Sequence, residues 1–360
     1  VTLEAAKQWL ATIPQDKPVF LWLHLYDPHA PYDPPGNFRA RFPSDPYAGE
    51  IAFVDALVAD LSATLDQSGR LDDTVLTVLA DHGEGLGEHG ENTHGFLLHQ
   101  ATIHVPWILT TPATNQPIRV VDPVSITDLS PLLTTLVDLR TPNQDRSDGR
   151  LPFGGRDATN PARALYFEAM LPLFQYGWSE LRGVRSGKWE LHAGTRKELF
   201  DMAADPRQLT NMAEVEPLEL ENTSRSLDDF VAEDHGVSAE AALELPPAER
   251  EALEALGYMA NTSPARRNPP DPRDLVTGHV HIERAQHHLA LGEYEEALAS
   301  IDVMLGGDPE NLAALSLKGN VYTAMGDFVR AEETYRRCLE IDPANSDVVM
   351  GLCRLESLQG

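Results

Sequence analysis

Cysteine is nearly absent: the 360 residues contain two, Cys338 and Cys353. Two thiols in one C-terminal stretch exclude a disulfide framework and leave the redox compartment open. Basic residues are scarce, 28 against 56 acidic ones, for a formal net charge of −28. A nucleic-acid binder needs a basic face, so nucleic acid is not an expected partner. An anionic substrate would need local positive charge, such as a metal. No run approaches about 18 consecutive apolar residues, so no membrane span is expected in this chain. There is no initial Met and no signal peptide, and helical sequence begins almost at once. The chain is therefore expected to lack its natural N-terminus and any targeting information there.

What is present suffices for a packed core. Hydrophobic residues make up 42% of the chain, and its length suits two or more domains. Residues 3–12 read as the end of a helix. Pro18 to Tyr26 (PVFLWLHLY) is an apolar, strand-like run leading into Asp27-Pro28-His29-Ala30-Pro31-Tyr32, where the prolines forbid regular structure. From Glu50 to Gln67, Ile51, Val54, Leu57, Val58, Leu61 and Leu65 recur at helical spacing, and Gly69 suits the stop. A second apolar run, Val75 to Ala80, is rich in β-branched residues and reads as a buried parallel strand. Strand, helix and strand form a βαβ unit, which predicts parallel strands with Asp27-Pro28-His29 and Asp81-His82-Gly83 on one sheet edge.

Ligands in open α/β sheets sit outside the carboxyl ends of strands. Asp81 and His82 follow such a strand and precede a loop with Gly83, Gly85, Gly87, Gly90 and Gly95. A carboxylate and an imidazole there can both reach one ion, although Asp-His-Gly alone fits a solvated turn equally well. Further on, Val105 to Thr110 reads as a strand and Ser125 to Leu139 as a helix. Residues 140–162 read as loop and Leu165 to Ala169 as a strand. Leu181 to Arg185 and Lys188 to His192, around Ser186-Gly187, read as an antiparallel hairpin. Residues 214–258 are acidic and helical in character, and Met259 to Asp274 has linker composition.

An internal repeat follows. Gly292 and Gly326 stand 34 residues apart, as do Tyr294 and Phe328, Ala297 and Ala331, and Leu305 and Leu339. Asp308-Pro309 matches Asp342-Pro343, and Asn311 matches Asn345. That period, with small, aromatic and Pro positions in phase, is the tetratricopeptide signature. Two full units and one further helix, Ala344 to Leu358, are expected. Such arrays bind protein partners or self-associate.

Several spaced motifs together resemble the sulfatase family of the alkaline-phosphatase-like superfamily. They are FLWLHLYDPHAPY (20–32), YAGEIAFVD (47–55), DHGEGLGEHGE (81–91) and HVP (104–106). LRGVRSGKWEL (181–191) and ELFDMAADPRQLTNMA (198–213) look like the family's C-terminal subdomain. The resemblance implies an α/β fold: an alkaline-phosphatase-like mixed sheet, a small antiparallel C-terminal subdomain, and then the all-α repeat array. The expected divisions are a sulfatase-like core over 1–160, its C-terminal subdomain and acidic helical extension over 161–258, a linker over 259–274 and repeats over 275–360.

The resemblance implies hydrolysis of sulfate esters of small molecules or glycans. Asp81 and His82 match two ligands of the family's divalent metal. His29 matches a residue contacting the ester or its leaving oxygen, and His94 stands where many members place a sulfate-gripping Lys. With His at 94, positive charge at that point depends on pH. His104 stands where members often have Arg. Ca²⁺ is the family default, but the imidazole of His82 makes Mn²⁺ or Zn²⁺ serious competitors. The family's formylglycine nucleophile arises from Cys, or is replaced by Ser, in Cys/Ser-x-Pro-x-Arg. Neither Cys and no Ser has that context here, so the nucleophile is expected upstream and this chain alone is expected to be inactive. The alternatives are a phosphodiester or phosphonate ester hydrolase of the same superfamily, or an inactive sulfatase-like scaffold whose repeats bind partners. Family members are often exported, so a periplasmic or exported protein is expected. His89 could orient a metal ligand, whereas His24 reads as a core residue and Asp55 as structural. His279, His281, His287 and His288 read as a solvated helix face, and Arg182 and Arg185 as partners of acidic neighbours.

Overall fold

The computed structural model describes residues 2–114, 116–139, 149, 151, 163–233 and 266–359. Most of the expected loop over 140–162, the acidic extension beyond Glu233 and the first part of the linker lie outside the described residues. The chain divides into two compact units. One comprises Val1–Ala80, Pro106–Asp122 and Leu136–Leu139; the other comprises Asp81–Val105, Pro123–Thr135 and Arg140–Gly360.

In the first unit, α1 (Thr2–Thr12) and α3 (Pro46–Gln67) bury Leu3, Leu10, Leu61 and Leu65 against one another. A short helix, α2 (Asn37–Arg41), lies between them in the chain. Asp45 caps α3 by accepting from the Ala48 amide, with Pro46 in the first turn, where its missing N–H costs nothing. The run from Pro18 to Tyr26 is extended but pairs with no strand among the described residues. Its alternate residues Val19, Leu21 and Leu23 pack on the two helices. Phe20 and Trp22, on the other side of the pleat, are each 77% exposed. The expected parallel βαβ pairing is therefore not formed. Instead β1 (Leu76–Leu79) pairs antiparallel with β2 (Trp107–Thr110), from Leu76 opposite Thr110 to Leu79 opposite Trp107. The Trp107 indole fastens this ribbon by donating to the Thr77 hydroxyl at 3.0 Å.

The second unit begins with the glycine-rich loop. It continues through α4 (Gln100–Ile103) and α5 (Leu129–Leu136, its last residue assigned to the first unit). A four-stranded antiparallel sheet follows, ordered β3 (Leu165–Ala169), β4 (Leu181–Ser186), β5 (Trp189–Ala193), β6 (Lys197–Asp201), with α6 (Leu171–Tyr176) between its first two strands. This is the small antiparallel subdomain expected from the hairpin and the family resemblance. Val184, Leu191 and Leu199, fully buried, share one face with Leu227 of α7 (Pro217–Glu233). By alternation the other face carries Phe167, Glu190, His192 and Glu198.

Five further helices are described in this unit: α8 (Pro272–Leu291), α9 (Tyr294–Gly307), α10 (Leu312–Met325), α11 (Phe328–Ile341) and α12 (Ser346–Gln359). The repeat reading thus holds, with two helical hairpins and a fifth helix. Gly292 and Gly326 end α8 and α10 at φ 77°, a left-handed conformation that suits glycine as the terminating residue. The helices do not stand apart from the sheet. Their core is continuous with Phe96, Leu97, Leu98, Tyr176 and Trp178. The Trp178 indole donates to Asp308 at 2.8 Å, and Arg266 grips the same carboxylate at 2.7 and 3.0 Å. Asp308, legible only as part of a repeated Asp-Pro pair, therefore anchors the array to the α6–β4 connection.

Candidate active site

The loop after Ala80 folds around a buried carboxylate. Glu91, 2% exposed, accepts from the Phe96 amide at 2.8 Å and the Leu97 amide at 3.2 Å. Burial pushes its carboxyl up to about 7, against the lowering effect of those two amides. Gly85 donates to Thr93 O at 2.7 Å, and a Cβ there would sit 2.7 Å from both Glu91 O and Thr93 O. Only glycine lets the strands of this loop close so tightly. Gly83 is tied to Thr102 O at 2.7 Å, which fixes the loop's start against α4.

On this frame Asp81, His82 and His94 come together. The rings of His82 and His94 stack with centroids 3.9 Å apart. His82 Nδ1 lies 2.8 Å from Gly83 O. A carbonyl can only accept, so Nδ1 carries the hydrogen and Nε2 of the neutral ring carries the lone pair. That Nε2 is 3.7 Å from Asp81 Oδ2, while the other Asp81 oxygen accepts from the His82 amide at 3.0 Å. Two donor atoms at that separation, one imidazole nitrogen and one carboxylate oxygen, fit a single divalent cation after a small closure. His94 Nδ1 lies 3.2 Å from Glu84 Oε1, and that carboxylate is only 4% exposed. Glu84 had no role in the sequence reading; its only signal was an acidic residue inside the glycine loop.

His29 belongs to the other unit. Its amide donates to Glu50 Oε2 at 3.2 Å, its Nδ1 lies 2.7 Å from Ala30 O, and its ring stacks on Tyr26 at 4.4 Å. Glu50, near the start of α3, is 2% exposed, and burial raises its carboxyl above the usual range. It also accepts from the Asp33 amide. The proline-rich turn is thus organised by one buried glutamate, which the sequence showed only as a helix residue. The Asp27-Pro28 and Ala30-Pro31 bonds are cis.

The remaining histidines divide. His279 is not a solvated residue: its Nδ1 meets the Tyr176 hydroxyl at 2.7 Å and its ring lies against Phe96. His89 stacks on His99 at 3.5 Å and is fixed by Arg207 O, 3.0 Å from its Nε2. His99 and His192, both buried, were overlooked in the sequence because they stand far apart in it and in no motif.

Comparison with known families bears on both parts of the chain. The sulfatase family model matches residues 1–139, and a tetratricopeptide repeat model matches residues 313–345. The chain carries a sulfatase-family domain followed by tetratricopeptide repeats. Among its relatives, choline-sulfatase of Rhizobium meliloti is 29% identical over 174 residues, covering 47% of this chain and 32% of that protein. Human arylsulfatase K is 23% identical over 176 residues, covering 46% and 33%. The chain thus spans about a third of the length of these curated relatives. A solved structure from a study of glycosaminoglycan metabolism in Bacteroides thetaiotaomicron superposes with a TM-score of 0.53 at 19% identity, covering 63% of this chain and 53% of that one. That likeness concerns the fold.

Proposed function

We propose that this chain forms part of a metal-dependent hydrolase of sulfate esters. The observation that carries the reading is the Asp81–His82–His94 cluster. A carboxylate oxygen and an imidazole lone pair stand 3.7 Å apart, beside a second imidazole stacked on the first. Asp81 and His82 would hold the cation. When bound, that cation would neutralise charge on the ester and favour attack at sulfur. His94 would bind a sulfate oxygen, with Glu84 Oε1 3.2 Å from its Nδ1 orienting the ring. The family resemblance assigns His29 to the leaving oxygen. Within its own unit, His29 Nδ1 donates to Ala30 O, which fixes the orientation of the ring. Ca²⁺ is the family's usual ion, and His82 favours Mn²⁺ or Zn²⁺.

The test is turnover of an aryl sulfate against an aryl phosphodiester by the whole protein that carries this chain. The expected result is preference for the sulfate, with Asp81→Asn losing more than about 100-fold, since even outer partners of a metal cost 10–100-fold. Preference for the phosphodiester would transfer the site to the phosphoester branch of the superfamily. A second reading rests on the repeats: the chain contains no Cys- or Ser-x-Pro-x-Arg, and tetratricopeptide arrays bind peptides. An inactive whole protein that captures a peptide through α8–α12 would favour it.

A further inference from the structure

We infer that the second unit contains a separate Zn²⁺ site built from His99, His192 and Glu198, distinct from Asp81, His82 and His94 and independent of the hydrolase reading. Each of these residues offers one ligand atom, and the three atoms lie within 4.8 Å of one another. His192 and Glu198 are direct cross-strand partners on β5 and β6, so the ladder itself sets their spacing. His99 comes from the start of α4, its ring edge-on to that of His192 with centroids 5.2 Å apart.

Two observations point to an ion. First, His99 Nδ1 and His192 Nδ1 are both buried without a hydrogen-bond partner among the described residues. Such atoms are rare in folded proteins and costly to leave unmet. Second, His192 is oriented as metal-bound histidines are. Its Nε2 lies 3.1 Å from Glu190 Oε1, and Glu190 is fully buried. The carboxylate can only accept, so Nε2 carries the hydrogen and Nδ1 keeps the lone pair. The Gln208 amide, 3.3 Å from the same Nε2, instead donates to Glu190 Oε1 at 2.7 Å. A buried carboxylate fixing the far nitrogen of a histidine is the usual support behind a zinc ligand.

The donor set selects the ion. Two imidazoles and one carboxylate suit Zn²⁺ with a fourth position for water, and suit Ca²⁺ poorly. Arg273 Nη1 lies 3.0 Å from Glu198 Oε2, and Arg196 Nε 3.5 Å from Oε1. A carboxylate has about four lone-pair positions, so Glu198 retains capacity for a cation while paired. The site would clamp the segment from His99 onto the β5–β6 edge.

The test uses the full chain, dialysed against chelator and titrated with Zn²⁺ alone in competition with a chromophoric chelator. At least one tightly bound Zn²⁺ per chain is expected. Glu198→Gln should remove one equivalent, and the isosteric Glu190→Gln should weaken its binding about 10–100-fold, with circular dichroism checking the fold. Co²⁺ in place of Zn²⁺ should give the intense visible absorption of a four-coordinate site. The control variant His287→Ala/His288→Ala should bind as the wild type does, and Glu198→Gln should lose one Zn²⁺ in the Asp81→Asn background as well. No tight Zn²⁺ in the wild type, or tight binding unchanged in both glutamate variants, would overturn the inference.

Discussion

The two units solve the same problem to different depths. In the second, apolar side chains from the glycine loop, α6 and the repeat helices merge into one core, with Trp178, Leu181 and Ile301 fully buried. In the first, a small cluster between α1 and α3 is the described core, while Phe20, Trp22 and Ile108 stand 60–77% exposed. The difference teaches that apolar sequence is not itself burial. The run PVFLWLHLY is as hydrophobic as any strand in the second unit. With one side packed on helices and no ladder, only its alternate residues leave water. Stability should therefore be concentrated in the second unit, and amide exchange should be slower there.

The largest expected effect that tests this contrast is Leu191→Ala. Its side chain is fully buried between the sheet and α7, so truncation should cost about 3–4 kcal/mol; chemical denaturation followed by tryptophan fluorescence measures it. A cost below about 1 kcal/mol would mean the sheet–helix core is looser than described. Next is the pH dependence of Glu91. Its carboxyl is raised from 4.5 to about 7, so between those values the folded chain holds a proton the unfolded chain has lost. Stability should fall as pH rises through that window, by roughly 3 kcal/mol at most. Denaturation midpoints at several pH values should show the slope, and Glu91→Gln should flatten it. The smallest effect is Phe20→Ser in the first unit, within about 0.5 kcal/mol because the ring is already in water. A large loss there would mean that Phe20 is covered in solution.

Much of this was legible in the sequence where the signal is local. The apolar spacing from Glu50 to Gln67 yields α3, and Ser186-Gly187 between two runs yields the β4–β5 hairpin. Gly292 and Gly326 in phase yield the repeat helices. Asp81, His82 and His94 were marked by motif, and the structure brings these three together. What stayed hidden depends on contacts between distant segments. The partner of β1 is set by the ribbon with Trp107 and not by the earlier apolar run. The burial of Glu91, Glu190 and Glu50 contradicts the ordinary expectation for an acidic residue. Nothing in the sequence joins His99 to His192 across 93 positions, because their meeting is made by the cross-strand register and by α4.

The account turns on Asp81 and His82 sharing one cation next to His94. Titration of the ¹⁵N-labelled full chain with Mn²⁺, read as paramagnetic broadening of the histidine ring signals, tests this directly. His82 and His94 should broaden first and together, and Asp81→Asn should remove the effect. Broadening confined to His287 and His288, with His82 and His94 sharp, would contradict it.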